Sequence, residues 1–239
     1  MKLLFFRRRF KALFMQMRLH VIFGPFVKIF LLLSYLSKLS KWRVKQGKLA
    51  YNDFPVRSVK PERRYGMYNF LQETIIKEQE IVYLEFGVAG GDSFKWWMQN
   101  HQLPNSRFFG FDTFTGLPED WGPFKKGHFA QSEIPTIEDE RGAFEQGLFQ
   151  QTLLPFIEKH DFWDKKLVIH LDADLYSATL FVLSQLYSKL KPGDIIIFDE
   201  FNVPMSEFKA WDDFSNSFYV DYEVLGAVNN YFQLALMVK

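Results

Sequence analysis

Four short apolar runs in this chain each end in an acid, and that recurrence limits the possible folds more than any single motif does. They lie at 81–86, with Glu85 next to its end, at 107–112, closing on Asp112, at 167–172, closing on Asp172, and at 194–200, closing on Asp199 and Glu200. Runs of this length bounded by turn residues read as buried strands. Helix-compatible segments at 62–77, 92–101, 150–159, 176–190 and 206–216 alternate with them, which predicts a mostly parallel sheet with helices on both faces. Further strand segments lie at 143–146, 218–224 and 230–238, and the short turn around Asn229-Asn230 predicts that the last two pair antiparallel. Ligands of such sheets bind outside the carboxyl ends of the strands. Glu85, Asp112, Asp172 and Asp199 would therefore share one acidic rim.

The first of these runs continues as Tyr83-Leu-Glu-Phe-Gly-Val-Ala-Gly-Gly-Asp-Ser93, a strand, a glycine turn and a helix start. Glycines at such a turn let the backbone approach a ligand closely. The spacing is G-x-x-G-G, not the G-x-G-x-x-G of dinucleotide sites, and Glu85 and Asp92 suit a sugar hydroxyl or a cation better than a pyrophosphate. Asp112 follows Gly87 by 25 residues, where an acid can accept hydrogen bonds from both hydroxyls of a ribose or cap a turn. Asp172, Asp199 and Glu200 could hold a hard divalent cation, or cap helices and contact solvent. Asp174 is a further candidate, or a buried hydrogen-bonding group. Strand alternation puts His170 on the face of Val168 and Asp172, as a base or as a satisfied core histidine. His128 sits in the irregular stretch 113–142, whose length marks it as functional or disordered.

Charge divides the chain unevenly. Residues 1–52 hold 12 Lys/Arg and no Asp/Glu, while the rest holds 17 basic and 28 acidic residues. A basic hydrophobic helical arm over 1–48 would precede a domain over 49–239. The apolar window 19–37 is broken by Pro25 and carries Lys28, with six basic residues before it and five at 38–48. A single span would leave five charges on the far side, against the positive-inside rule. Helices lying in the interface of an anionic membrane fit better, with packing on the domain or in a homodimer as the alternative. Long aliphatics rather than a stacking platform separate the basic residues, which argues against nucleic acid. The absence of cysteine excludes disulfides and thiolate metal sites and agrees with a cytoplasmic protein, peripheral on the inner face of the membrane.

Five ordered segments carry a resemblance. They are 83–93, Phe-Gly-Phe-Asp-Thr-Phe-Thr-Gly-Leu-Pro-Glu at 109–119, Gly-Leu-Phe-Gln-Gln-Thr-Leu at 147–153, His-Leu-Asp-Ala-Asp-Leu-Tyr at 170–176 and Ile-Ile-Phe-Asp-Glu-Phe at 196–201. From about residue 62 to 239 the chain resembles class I S-adenosylmethionine-dependent methyltransferases, and within them the macrocin O-methyltransferase group, which methylates sugar hydroxyls of antibiotics and related glycans. The resemblance implies a Rossmann-like, doubly wound α/β fold with a seven-stranded, mostly parallel sheet and one antiparallel strand. It implies that Glu85, Gly87 and Ser93 line the methionine side of the cofactor, that Asp112 binds its ribose, and that Gly147, Leu148 and Phe149 approach the adenine. Phe86, Val88, Gly90, Gly91, Thr113 and Asp172 are further cofactor-binding candidates. Asp172, Asp199 and Glu200 match the family's magnesium positions, although the family often has two aspartates where this chain has Asp199-Glu200.

The implied reaction is methyl transfer to the hydroxyl of a small-molecule or glycan acceptor with Mg2+ assistance, Asp172 or His170 taking the proton. The basic arm lies outside the shared pattern and points to a membrane-proximal glycan or a lipid-linked acceptor. The competing readings are a non-catalytic cofactor-binding scaffold at a membrane and a nicotinamide-dependent oxidoreductase, and the glycine spacing argues against the latter.

Overall fold

The computed structural model describes residues 2–239; Met1, the first residue of the expected arm, lies outside them. The arm comprises α1 (Lys2–Gln16), α2 (His20–Phe23), a 3-10 turn at Gly24–Phe26 and α3 (Val27–Lys45). The domain follows as β1 (Tyr51–Asn52), α4 (Arg63–Phe70) running into a π turn at Leu71–Ile76, β2 (Ile81–Phe86), α5 (Asp92–Asn100), β3 (Arg107–Asp112) and β4 (Gly142–Gln146). It ends with α6 (Phe149–Lys159), β5 (Lys166–Leu171), α7 (Tyr176–Leu186), β6 (Ile195–Phe198), α8 (Glu207–Ser217), β7 (Tyr222–Val228) and β8 (Gln233–Val238).

These strands form one sheet in the order β1-β7-β8-β6-β5-β2-β3-β4. β8 runs antiparallel to both its neighbours, and every other pair is parallel. The seven expected strands are present, and Tyr51–Asn52 adds a two-residue eighth at the β7 edge. The strands are apolar on both sides because both faces are covered. On one face Leu84, Phe86, Ile169 and Phe198 meet Leu153, Val182, Leu183 and Trp211 of α6, α7 and α8. On the other, Tyr83, Val168, Ile195 and Ile197 meet Met67 and Tyr68 of α4 and Phe94 and Trp97 of α5.

Two boundaries moved. The strand expected at 218–224 begins at Tyr222, because Phe218 instead ends α8 and packs on Tyr187 and Phe214. The arm also gives way to the domain before residue 48. Tyr35, Leu39 and Trp42 of α3 pack on the domain core, Lys38 pairs with Asp212 at 2.7 Å, and Trp42 Nε1 donates to the Tyr222 hydroxyl at 2.7 Å.

Candidate active site

At the carboxyl edge of the sheet, the turn after β2 is held in a conformation that most residues avoid. Gly87 has φ +94°, and a Cβ there would stand 1.8 Å from the carbonyl oxygen of Asp172. The close approach that requires glycine is thus to β5, not to a ligand. Ala89 also lies in the left-handed region, at φ +46°, a strained setting for a residue with a side chain. Asp112 holds the turn in place: its Oδ2 accepts from the backbone N–H of Val88 and Ala89, each at 2.8 Å, and its Oδ1 accepts from Phe114 N–H at 2.7 Å. One carboxylate therefore ties the end of β3 both to the glycine turn and to the start of the 113–142 loop.

A cleft of about 540 Å³ opens above this edge. Gly87, Ala89, Asp112 and Thr113 form one side and Leu148 and Phe149 another. Leu117, Pro118, Glu119 and Phe129 reach it from the long loop, and Arg64 reaches it from α4. Trp121 Nε1 donates to Ser206 Oγ at 3.0 Å and fastens the loop to the segment ahead of α8. His128 is exposed and stacked on Phe124 at 4.6 Å, outside the cleft lining.

Acids make up the floor. One oxygen each of Asp172, Asp174 and Glu200 can be chosen so that all lie within 4.8 Å of one another, and Glu207, fully buried, stands beside them with its Oε2 accepting from Glu200 N–H at 2.9 Å. Burial, then the charge of neighbouring acids, pushes Asp172, Glu200 and Glu207 well above the ordinary carboxylate range. Burial raises Asp174 to about 6. Glu200 Oε2 and Glu207 Oε1 are buried without a hydrogen-bond partner. Uncompensated buried carboxylates are costly, and a close all-oxygen set of this kind suits a hard divalent cation. Asp172, Asp174 and Glu200 thus fit the cation that the sequence resemblance implies.

Asp199 belongs to a different arrangement. Its Oδ1 lies 3.2 Å from the Arg64 guanidinium and 3.8 Å from His170 Nε2. On the far side of the ring, Nδ1 is 3.8 Å from Glu85 Oε2 and 2.8 Å from the Tyr83 hydroxyl, which also donates to Glu85. Burial opposes the charge on His170, but Asp199 and Glu85 outweigh it and lift its pKa to about 10. Burial likewise opposes charge on Asp199, yet His170 and Arg64 hold it below the usual value. His170 is fully buried between two carboxylates that favour its charged form, beneath the cleft floor.

The family described as macrocin-O-methyltransferase (TylF) matches residues 128–230, from the long loop through the acidic floor to the turn after β7. No curated protein matches the chain. Among solved structures, calicheamicin methyltransferase CalS11 superposes with a TM-score of 0.58 at 19% identity, over 74% of this chain and 80% of that one. Its apo form, described as a TDP-rhamnose 3'-O-methyltransferase, gives 0.52 at 16% identity, over 85% and 93%. The O-methyltransferase NovP gives 0.50 at 18% identity, over 66% and 71%. At these identities the likeness establishes the fold alone, and the family match covers less than half of the chain.

The expected cofactor residues separate by depth. Gly87, Asp112, Thr113, Leu148, Phe149 and Asp172 line the cleft. Glu85, Phe86 and Ser93 are buried beneath it, Ser93 against the Tyr68 hydroxyl at 3.4 Å. Val88, Gly90, Gly91 and Gly147 shape the two turns without facing the cleft. His170 is fully buried between Asp199 and Glu85 and does not line the cleft. Asp199 lines the cleft with its Oδ1 toward Arg64 and His170, and Asp174 joins Asp172 and Glu200 in the close oxygen set. The sequence gives no local sign of a role for Arg64, whereas Ala89, Leu117 and Pro118 lie inside the resembling segments 83–93 and 109–119. The cleft fits a nucleoside cofactor: it combines an apolar wall at Leu148 and Phe149 with the Asp112 carboxylate opposite.

Proposed function

We propose that this chain is an S-adenosylmethionine-dependent O-methyltransferase of the macrocin kind, that it acts on a sugar-type hydroxyl and that a divalent cation at Asp172, Asp174 and Glu200 assists it. The observation that carries the reading is the juxtaposition, in one cleft, of a nucleoside-sized space bounded by Asp112 with a cluster of buried acids short of positive charge. The CalS11 structure described as a TDP-rhamnose 3'-O-methyltransferase supports a sugar as acceptor.

When bound, S-adenosylmethionine supplies an electrophilic methyl group, and a cation lowers the pKa of a neighbouring hydroxyl. The rest falls to the chain. Asp112 accepts from the ribose hydroxyls while keeping the turn after β2 in place. Leu148 and Phe149 exclude water from the base. Leu117, Pro118 and Phe129 cover the acceptor side, and holding the two reactants in line supplies much of the rate. Asp172, on the cleft floor, would receive the hydroxyl proton. His170 acts at one remove by fixing Asp199 and, through it, Arg64.

The test is calorimetry with S-adenosylmethionine, followed by transfer of its labelled methyl group to nucleotide-linked deoxysugars with and without chelator. Cofactor binding should survive chelation, whereas transfer should fall at least a hundredfold. Undiminished transfer in excess chelator would remove the cation from the reading.

A further inference from the structure

Among the described residues, the arm leaves a large apolar surface uncovered. Of residues 3–34, all but Phe14 and Leu19 are exposed, among them Phe5, Phe6, Phe10, Ile22, Phe26 and Phe30. Exposed patches of such extent mark an interaction site. Interleaved with them, Arg7, Arg8, Arg9, Lys11, Arg18 and Lys28 are exposed, and residues 1–52 contain no acid to pair with them. A surface that is apolar and uniformly cationic complements an anionic lipid bilayer, which offers acyl chains and negative headgroups together. It does not complement a second copy of itself, because two such arms would bring like charges together.

Length decides how the arm can sit. The helical stretch His20–Lys45 is long and apolar enough to cross a membrane by composition. Its last part is already engaged, however, through Tyr35, Leu39 and Trp42 on the domain core and Lys38 on Asp212. Residues 20–34 remain free, about 22 Å of helix at 1.5 Å per residue, against a hydrocarbon core of about 30 Å. The free stretch is too short to span. It folds back on α1 at Arg18 (φ +50°), with Phe14 stacked on Phe23 at 5.7 Å.

The point of departure sets the orientation. Tyr35 lies beside Lys209, whose Nζ is also 3.5 Å from the centre of the Tyr176 ring. Leu175 and Ser177, on either side of Tyr176, line the cleft. The arm therefore leaves the domain at the rim of the cleft. We propose that α1, α2 and the first half of α3 embed in one leaflet of an anionic membrane and hold the mouth of the cleft toward the headgroups. This inference does not depend on the proposed reaction.

The test uses the full chain with vesicles of phosphatidylcholine, alone or with phosphatidylglycerol. Sedimentation with anionic vesicles at low salt, at least tenfold weaker with neutral vesicles, is expected. Replacing Arg7, Arg8 and Arg9 by Gln should weaken it further, by about fivefold per residue, with no change in melting temperature, since these side chains are exposed. The chain has no cysteine, so Ser177→Cys and Tyr219→Cys each carry a single fluorophore, one at the cleft rim and one just past the far end of α8. Headgroup-nitroxide lipids should quench the label at 177 and spare the label at 219. A chain that stays in the supernatant at low salt, or is captured equally by neutral vesicles, overturns the membrane assignment. Equal quenching at both labels overturns the orientation. Cofactor titration without vesicles reads the proposed function separately, so its failure cannot be mistaken for loss of docking.

Discussion

Asp199 and Glu200 are adjacent in sequence and electrostatically opposite. At the end of β6 the alternation of side chains sends Asp199 to the face of α4, where Arg64 and His170 hold its charge. It sends Glu200 among Asp172, Asp174 and Glu207, where no cation answers its own. The first acid is part of what holds the sheet edge together, and the second is an expense to the fold that only a ligand or a proton offsets. Acids at strand ends can thus line one cleft and still differ in what they do there. The side on which each acid falls decides whether it supports the floor or works on it.

The strongest way to break that contrast is to remove each acid in turn. Asp199→Ala leaves Arg64 and His170 buried against an empty place and should cost about 3–5 kcal/mol of stability, whereas Glu200→Gln should be neutral or stabilising; denaturant unfolding at pH 7 compares them. The two also differ in pH dependence. His170 titrates near 10 when folded, against about 6.5 when unfolded. Its stabilising contribution is complete below about 6.5, declines as pH rises, and is gone above about 10. Asp199→Asn should flatten this decline; an unchanged slope would mean that the imidazolium is not the source.

Of intermediate size is the response to magnesium. At a hundred times its dissociation constant, a cation bound only to the folded chain adds about 2.7 kcal/mol. Thermal melts should show this gain in the wild type and in Asp199→Asn, but not in Glu200→Gln or Asp174→Asn. If Asp199→Asn abolishes it instead, the division between the two acids is misplaced. The smallest effect should come from the acid that serves both purposes. Asp112→Asn gives up charge-assisted hydrogen bonds worth about 1.5–3 kcal/mol, a loss of roughly ten- to a hundredfold in S-adenosylmethionine affinity by calorimetry. Binding undiminished by the change would place the ribose elsewhere.

The sheet was legible where apolar runs end sharply: Ile81–Phe86 and Arg107–Asp112 appear at the expected residues. It was least legible around 218, where Phe218 and Tyr219 look like the start of a strand but follow a helix whose aromatic cluster captures Phe218. β1 escaped notice because two residues carry no periodicity. At the site, strand parity correctly put His170 on the side of Asp172, but parity says nothing about depth. In register His170 sits opposite Glu85 and Ile197, below the level where the cleft begins. The place of Asp174 beside Asp172 and Glu200 turns on the reversal after β5, where Asp174 adopts φ +57°, a backbone choice that the Asp-Ala-Asp-Leu-Tyr string does not reveal.

Asp112 spends much of its acceptor capacity on the chain itself, with Oδ2 on the glycine turn and Oδ1 on the first residues of the loop that roofs the cleft. A ribose joining that carboxylate shares it with the N–H of Phe114, so cofactor occupancy and the seating of the roof become terms of one equilibrium. Coupling of this kind is reciprocal. Whatever factor the cofactor contributes to closing Leu117 and Pro118 over the cleft, an acceptor that closes them returns to the cofactor's affinity. If the proposed reaction holds, the chain would favour an order of addition, cofactor before acceptor, without any residue devoted to enforcing it.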